Sequence, residues 1–185
     1  IIDLELEKIE LIINKIAADP EDEDIRRVEL ELWKKIRTMA RKGRRTGLGI
    51  TAEGDMLAAL GLRYGTPEAT AFAVKVQKTL ALEAYRASVK MAAERGAFEI
   101  FDARKEEKNP MIGRIREADP ELYAEMVKHG RRNIAMLTIA PTGTTSLMSQ
   151  TTSGIEPVFR PVYKRRRKIN PSDQDANCLL YTSDA

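Results

Sequence analysis

Ile134-Ala135-Met136-Leu137-Thr138-Ile139-Ala140, followed by Pro141-Thr142-Gly143-Thr144-Thr145-Ser146-Leu147-Met148, is the stretch on which the fold turns. Residues 134–140 are a nearly continuous apolar run between Gly130 and Pro141. Such a run suits a strand buried on both faces, the habit of parallel sheets covered by helices. The residues after it then form a turn and the start of a helix. The first amides of a helix have no internal partner and sit at its positive end. Gly143 lets an anion approach the backbone, and the hydroxyls of Thr142, Thr144, Thr145 and Ser146 add donors. Pro141, Thr142, Gly143, Thr144, Thr145 and Ser146 therefore read as a phosphate cradle. Ordinary helix capping explains the same composition, and the glycine-lysine pair of a Walker loop is missing. Position favours the cradle, because α/β sheets bind ligands at the carboxyl ends of their strands.

Working outward, the rest of the chain reads mostly as helices. Ile9, Ile12, Ile13 and Ile16 give a short helical stripe. Asp19-Pro20-Glu21 opens a second helix, with Asp19 as its N-cap and Pro20 at the first helical position. Ile25, Val28, Leu32, Ile36 and Met39 fall on one face of it, at steps of three and four, and Gly43 ends it. Residues 45–51, Arg-Thr-Gly-Leu-Gly-Ile-Thr, read either as a short strand or as a tight loop. In the strand reading, Gly47 and Gly49 mark close approach of another backbone or a ligand. Thr51 caps a helix running to about Leu60. Thr66-Pro67-Glu68 begins the longest helix, striped by Ala73, Val76, Leu80, Ala84, Ala87 and Met91 and closed by Gly96. Residues 97–118 read as a mixed, charged connection. Asp119-Pro120-Glu121 opens another helix ending near Gly130. His129 lies in its last turn, where it complements the negative helix end or serves as an acid-base group. Long helices alternating with short buried strands predict an α/β architecture.

Composition narrows the function classes. The chain has 185 residues, 43% hydrophobic and 32% charged, with a formal net charge of +3. No apolar run approaches the length of a membrane span. The basic run Lys164-Arg165-Arg166-Arg167-Lys168 could attract a polyanion. No recognisable nucleic-acid-binding fold accompanies it, so a solvated segment is the preferred reading and nucleic acid is not an expected partner. Cys178 is the single cysteine. No intrachain disulfide can form, which agrees with a reducing, cytoplasmic setting. The ending Cys178-Leu179-Leu180-Tyr181-Thr182-Ser183-Asp184-Ala185 looks like the translation of a sequencing adapter, so residues 178–185 are read as non-native.

Several motifs, in order, resemble the large catalytic subunit of ribonucleotide reductases. They are Arg44-Arg45-Thr46-Gly47-Leu48-Gly49-Ile50, Glu94-Arg95-Gly96-Ala97-Phe98 and Gly130-Arg131-Arg132-Asn133-Ile134. They continue through Ala140-Pro141-Thr142-Gly143-Thr144-Thr145-Ser146 to Thr152-Ser153-Gly154-Ile155-Glu156-Pro157-Val158-Phe159. The Pro-Thr-Gly-Thr form and residues 165–171, Arg-Arg-Arg-Lys-Ile-Asn-Pro, resemble the adenosylcobalamin-dependent class. The resemblance spans nearly all of residues 1–177.

The resemblance implies that residues 1–177 are part of the second half of a ten-stranded α/β barrel, a helix-rich fragment with residues 134–140 as an inner strand. It implies that residues 141–146 hold the substrate's phosphates. It also places Gly154, Ile155, Glu156 and Pro157 beside the active site, although the Glu156 carboxylate could equally satisfy local amides. The implied reaction replaces the ribose 2′-hydroxyl with hydrogen by thiyl-radical chemistry. Its substrate is a ribonucleotide, its cofactor adenosylcobalamin bound by the full-length enzyme, and its reductant an external, thioredoxin-like dithiol. A homodimer is a further expectation. The family's radical-cysteine motif, asparagine-proline-cysteine-glycine-glutamate, is absent from the sequence, and the resemblance puts it upstream of residue 1. Two other readings stay open: a reductase served by a separate metal-radical subunit, and a non-redox phosphate-binding α/β module.

Overall fold

The computed structural model describes residues 1–158, 160, 162–166 and 178–182. The chain divides into two compact units, each built from two separated stretches: 1–48 with 78–137, and 49–77 with 138–185.

The first unit contains α1 (Ile2–Ala17), α2 (Glu23–Gly43), residues 78–95 of α4 (Pro67–Arg95), α5 (Ala103–Glu106), α6 (Pro110–Ala118) and α7 (Pro120–His129). α1 and α2 form an antiparallel hairpin tied by Arg37 to Glu10 at 2.9 Å and Arg44 to Asp3 at 2.6 Å. The Arg44 guanidinium, with help from Arg132 and Arg95, holds the Asp3 carboxyl below its ordinary range. α2 begins later than Asp19-Pro20 predicts. Asp22 is the cap, accepting from the Asp24 amide at 2.9 Å, while Asp19 accepts from the Glu21 amide at 3.1 Å. The apolar stripe of α2 is not its buried face. Leu30, Trp33 and Ala40 turn inward, whereas Ile25, Val28, Leu32, Ile36 and Met39 are exposed. An apolar arc this wide shows periodicity on two adjacent faces, and the pattern alone does not say which one is covered.

α4 follows its predicted stripe through Ala84 and then departs from it. Tyr85, Ser88, Val89 and Ala92 are buried, and Met91 is exposed. Steps of four carry the buried line around the helix, since 3.6 residues per turn do not keep a fixed stripe over 29 residues. Residues 97–118 are more ordered than a charged connection implies. The Asn109 side chain accepts from the Met111 amide at 3.0 Å, Pro110 takes the first turn, and Ile112 and Ile115 of α6 enter the core. That core joins Tyr85, Val89, Ile112, Ile115, Leu122, Met126 and Met136.

α7 starts at the predicted Asp119-Pro120, with Asp119 accepting from the Leu122 amide at 2.9 Å and from Arg86 at 2.7 Å. The Leu122 amide first, and the Arg86 guanidinium second, hold the Asp119 carboxyl below the usual range. Its stabilising contribution is therefore fully present above the unfolded value of about 4 and is lost as pH falls through the lower folded value. Asp119→Asn keeps a capping oxygen without the charge. It should flatten the acid side of a urea-midpoint-against-pH curve; an unchanged acid slope would rule the linkage out.

Arg131 is the polar centre of this unit, with 2% of its surface exposed. Its Nε donates to the Asn133 carbonyl at 3.0 Å. One terminal nitrogen donates to the Glu106 carboxylate and to the Met126 sulfur at 3.8 Å. The other donates to Glu106 Oε1 at 2.6 Å and to the Ile134 carbonyl at 3.2 Å. All five donors of the guanidinium thus have acceptors. The rings of Tyr85 and Phe98 lie 5.5 Å away and that of Phe101 6.0 Å. Burial pushes the Tyr85 phenol up, with Arg131 opposing. Beside it, Asn133 joins three segments: Nδ2 donates to the Arg44 carbonyl at 2.8 Å, and Oδ1 accepts from Ser88 Oγ at 3.0 Å.

The expected α/β barrel fragment is overturned: the described residues contain neither a barrel nor a parallel sheet. Residues 134–137 run beside residues 43–48, with amide-to-carbonyl bonds Ile134 to Gly43 at 2.9 Å, Thr46 to Ala135 at 2.9 Å and Leu48 to Met136 at 2.6 Å. The pairing amounts to one parallel bridge, Leu48 with Leu137. A buried central strand needs neighbours on both edges and cover on both faces. Met136 is buried, but Thr138 and Ile139 are exposed and the run has one neighbour among the described residues.

The second unit holds α3 (Glu53–Ala59), residues 67–77 of α4, α8 (Gly143–Ser149) and the antiparallel pair β1 (Val162–Arg166) and β2 (Cys178–Thr182). Val162 stands opposite Thr182 and Arg166 opposite Cys178. Of the basic run, 164–166 fall in β1, while Arg167 and Lys168 lie outside the described residues, as do Phe159, residues 169–177 and residues 183–185. Gly49 fulfils its expectation of close backbone approach, because a Cβ there would strike the Thr138 carbonyl oxygen. No described helix is long and apolar enough to cross a membrane.

Candidate functional site

Thr142 carries the centre of the second unit. Its backbone is left-handed, with φ 40° and ψ 26°, a conformation that side-chain-bearing residues hold only when the surroundings enforce it. The enforcement is visible in its hydroxyl. Thr142 Oγ1 accepts from the Gly154 amide at 2.7 Å and lies 3.0 Å from Thr51 Oγ1. Thr51 has one hydroxyl proton, which goes to the Thr152 carbonyl at 3.1 Å. Thr142 is therefore the donor between the two threonines. One side chain ties residues 51, 142 and 154 together.

The surrounding loop is bound just as closely. The amides of Ala52 and Glu53 donate to the carbonyls of Thr152 and Gly154, at 3.2 and 3.3 Å. Asp55 Oδ2 accepts from the Thr152 amide at 2.8 Å, and the Asp55 amide donates back to Thr152 Oγ1 at 3.3 Å. A Cβ on Gly54 would lie 2.6 Å from the Glu156 carbonyl oxygen, so residues 154–157 pass directly over the start of α3. Glu53 is buried and accepts from Gln77 Nε2 at 2.9 Å.

The six predicted cradle residues divide by what they already hold. Thr142 spends its hydroxyl on the junction. Ser146 is buried, and its Oγ donates to the Gly143 carbonyl at 2.8 Å. Pro141, Gly143, Thr144 and Thr145 are exposed. The Ser146 amide donates to the Thr142 carbonyl at 2.8 Å, the first bond of α8. Among the described residues, the amides of Gly143, Thr144 and Thr145 have no protein acceptor. Among the described residues, the arrangement thus offers up to three adjacent N–H donors and the hydroxyls of Thr144 and Thr145 on one exposed turn. Gly154 is buried under Thr142, Ile155 is half-buried, and Glu156 and Pro157 are exposed, with the Glu156 amide donating to the Ser153 carbonyl at 3.3 Å.

Sequence reasoning missed Asp55 and Thr152, and it gave Thr51 the wrong task. Ala52, left-handed at φ 64°, is the N-cap of α3 and has no side chain to cap it; a first-turn amide, that of Asp55, goes to Thr152 Oγ1 instead. A cross-chain junction between residues about 100 apart leaves no periodic trace; its one local signal was a threonine beside a helix start. Outside this unit, His129 ends α7 with Nε2 3.3 Å from Glu125 Oε2. The described residues contain no cluster of three or more His, Cys, Asp or Glu fit to hold a metal.

The junction predicts its own sensitivity. Thr142→Val removes the donor to Thr51 and leaves the Gly154 amide unmet, which should cost about 1–3 kcal/mol of stability. Thr142→Ser keeps the oxygen and should recover most of it. Equal urea midpoints for the valine variant and the parent would refute the role.

A family model described as the barrel domain of ribonucleotide reductase matches residues 24–179. The vitamin B12-dependent ribonucleoside-diphosphate reductase of Mycobacterium tuberculosis (strain H37Rv) is 36% identical over 127 residues, covering 68% of this chain and 15% of that protein. The protein of the same name from Thermoplasma acidophilum is 33% identical over 142 residues, covering 77% of the chain and 16% of that protein. The ribonucleoside-diphosphate reductase subunit alpha of Treponema pallidum is 30% identical over 155 residues, covering 76% and 18%. The chain therefore spans less than a fifth of the length of these relatives.

Proposed function

Because the chain belongs to the ribonucleotide reductase family, we propose that it is the segment of a vitamin B12-dependent reductase that holds the phosphates of a ribonucleotide. One observation carries the reading: the Gly143, Thr144 and Thr145 amides stand unpaired among the described residues on an exposed turn. Anions settle where unpaired amides converge at the positive end of a helix. Thr142 holds the turn in place from below, while the hydroxyls of Thr144 and Thr145 can donate to phosphate oxygens. The exposed Glu156 stands on the neighbouring loop, where the family likeness puts an active-site segment.

The proposed reaction exchanges the ribose 2′-hydroxyl for hydrogen, with water leaving and a dithiol oxidised to a disulfide. A cysteine thiyl starts it by taking the 3′ hydrogen. Adenosylcobalamin would supply the radical in the full-length protein. Thiol chemistry of this kind belongs in the cytoplasm, where thiols stay reduced.

The test is kinetic. In the full-length protein, Thr144→Glu or Thr145→Glu puts a carboxylate where a phosphate would sit and disturbs little else on an exposed turn. Each should raise KM for the ribonucleotide about tenfold, near 1.4 kcal/mol, with kcat changed far less. An unmoved KM would remove the turn from the substrate site. The 185-residue chain itself should give no deoxyribonucleotide above the blank, since its one cysteine is Cys178 and the chemistry needs several. The Treponema pallidum relative, named as a subunit alpha, favours a second reading in which another subunit supplies the radical. Activity of the full-length protein with cobalamin and no second protein would exclude it.

A further inference from the structure

Three arginines of the first unit converge on one carboxylate. Arg44 Nη2 and Arg132 Nη2 both donate to Asp3 Oδ1, at 2.6 and 3.3 Å, and Arg95 Nη1 stands 3.6 Å from Asp3 Oδ2. Three positive charges against one negative leave an excess of two. Along one edge a guanidinium offers Nε–H and the adjoining Nη2–H as parallel donors, matched to two oxygens of a carboxylate or phosphate. In Arg44 and Arg132 alike, Asp3 takes the Nη2 half of that edge. The Nε half is buried in both and has no acceptor among the described residues. Both guanidiniums are also held in place from elsewhere. Arg132 Nη1 donates to the carbonyls of Arg95 and Gly96, at 2.9 and 3.1 Å. Arg44 sits in left-handed backbone just past α2, at φ 47°, with its carbonyl taken by Asn133 Nδ2 at 2.8 Å. A buried donor on a charged group is destabilising while it lacks an acceptor. Two of them, on edges that share one oxygen, call for more acceptor oxygens than Asp3 supplies.

We propose that Arg44, Arg132 and Arg95 form a site for a single phosphate group, separate from the exposed turn at residues 143–145. It lies in the first unit, whereas that turn belongs to the second. It also works by different chemistry, with side-chain charge in place of backbone amides. A phosphate group carries about −1.5 to −2 charge at neutral pH, close to the excess the three arginines leave. Its oxygens can take the Nε–Nη2 edges of Arg44 and Arg132 together, which one carboxylate oxygen does not do. The Arg44 and Arg132 side chains are 9 and 16% exposed, and form the floor. Arg95 and Asp3 are 64 and 47% exposed, and form the solvent side. Because both Nε atoms are closed to solvent, the phosphate reaches them by displacing the Asp3 carboxylate. Asp3 is therefore a competitor for the arginines and not a ligand of the anion.

Magnetic resonance of the arginine Nε–Hε groups in the 185-residue chain tests the proposal. Inorganic phosphate is titrated in at constant ionic strength, with chloride as the control. The Arg44 and Arg132 signals, identified by their loss in Arg44→Lys and Arg132→Lys, should shift together and saturate with a Kd on the order of 1 mM. Asp3→Ala removes the competitor and should tighten binding about tenfold. Arg95→Ala, at an exposed position, should weaken it about threefold. Circular dichroism checks that both variants keep their helix content. Methyl phosphate separates the two sources of the group: tighter binding than inorganic phosphate marks an ester as the natural ligand, and weaker binding marks the free ion. Signals that stay still, or that move equally with chloride, would overturn the proposal. So would an affinity indifferent to both Asp3→Ala and Arg95→Ala. Thr144→Glu should leave the arginine response intact; its loss there would assign the phosphate to the turn and overturn the site. Failure at the arginines leaves the reading of the turn as it was, since the KM test of that reading uses other residues.

Discussion

Arg131→Ala should destabilise the folded chain by about 3–5 kcal/mol, a large share of what holds a domain of this size together. The loss is not that of one ion pair. Removing the guanidinium strands the Glu106 carboxylate at a half-buried position and leaves the carbonyls of Asn133 and Ile134 without donors. It also empties the space between Tyr85, Phe98 and Phe101. Arg131→Lys should rescue little, because an ammonium has three donors and no plane to lay against the rings. Urea unfolding followed by circular dichroism measures both. A lysine variant within about 1 kcal/mol of the parent would show that charge, not the five-donor fork, is what matters. Arg131→Met with Glu106→Leu is the informative partner. If the double variant is as stable as the parent, the pair sets geometry rather than stability.

Gly130→Ala should cost about 3 kcal/mol or more by a different route. Gly130 has φ 73° and ψ −163°, a backbone region reserved almost wholly for glycine, and occupying it with alanine strains the chain by about 1–3 kcal/mol. A Cβ there would also stand 2.6 Å from the Ala97 methyl and 3.0 Å from the Phe101 ring. Overpacking adds a comparable amount. Moving Phe101 to make room disturbs one wall around Arg131. The two substitutions should therefore be non-additive, and a double variant no worse than Arg131→Ala alone would confirm the coupling. A Gly130→Ala protein with an unchanged urea midpoint would contradict the account.

Both positions belong to Gly130-Arg131-Arg132-Asn133, one of the motifs by which the chain resembles reductases. In this molecule the motif ties the core of its unit together. A family likeness located it without saying what it does; the five acceptors come from residues 106, 126, 133 and 134, and only a folded chain assembles them.

Legibility elsewhere followed the range of the interaction. Asp119-Pro120 opened α7 as read, because a cap and its amide lie within one turn. The glycine at position 49 marked a close backbone, because the missing Cβ is itself the signal. Which face of α2 is buried was not legible, since apolar residues line two adjacent arcs and burial of one of them depends on α1. Residues 134–140 promised a buried strand and delivered a single bridge, because apolarity states a demand for cover that only neighbouring strands can meet. At the candidate site, the hydroxyl-rich turn was legible as a turn. That Thr142 and Ser146 look inward while the amides of Gly143, Thr144 and Thr145 have no acceptor among the described residues was not, since it depends on Thr51 and Gly154.

Each compact unit is assembled from two stretches of chain with the other unit's residues lying between them in sequence. On a ribosome, which delivers residues in order, residues 1–48 must wait for residue 137 before their unit can finish, and residues 49–77 wait for the stretch that begins at 138. Neither can be trimmed out as one continuous peptide. A nascent chain stalled near residue 100 would hold two half-built cores at once, which makes that point of synthesis the one at which a chaperone has most to bind.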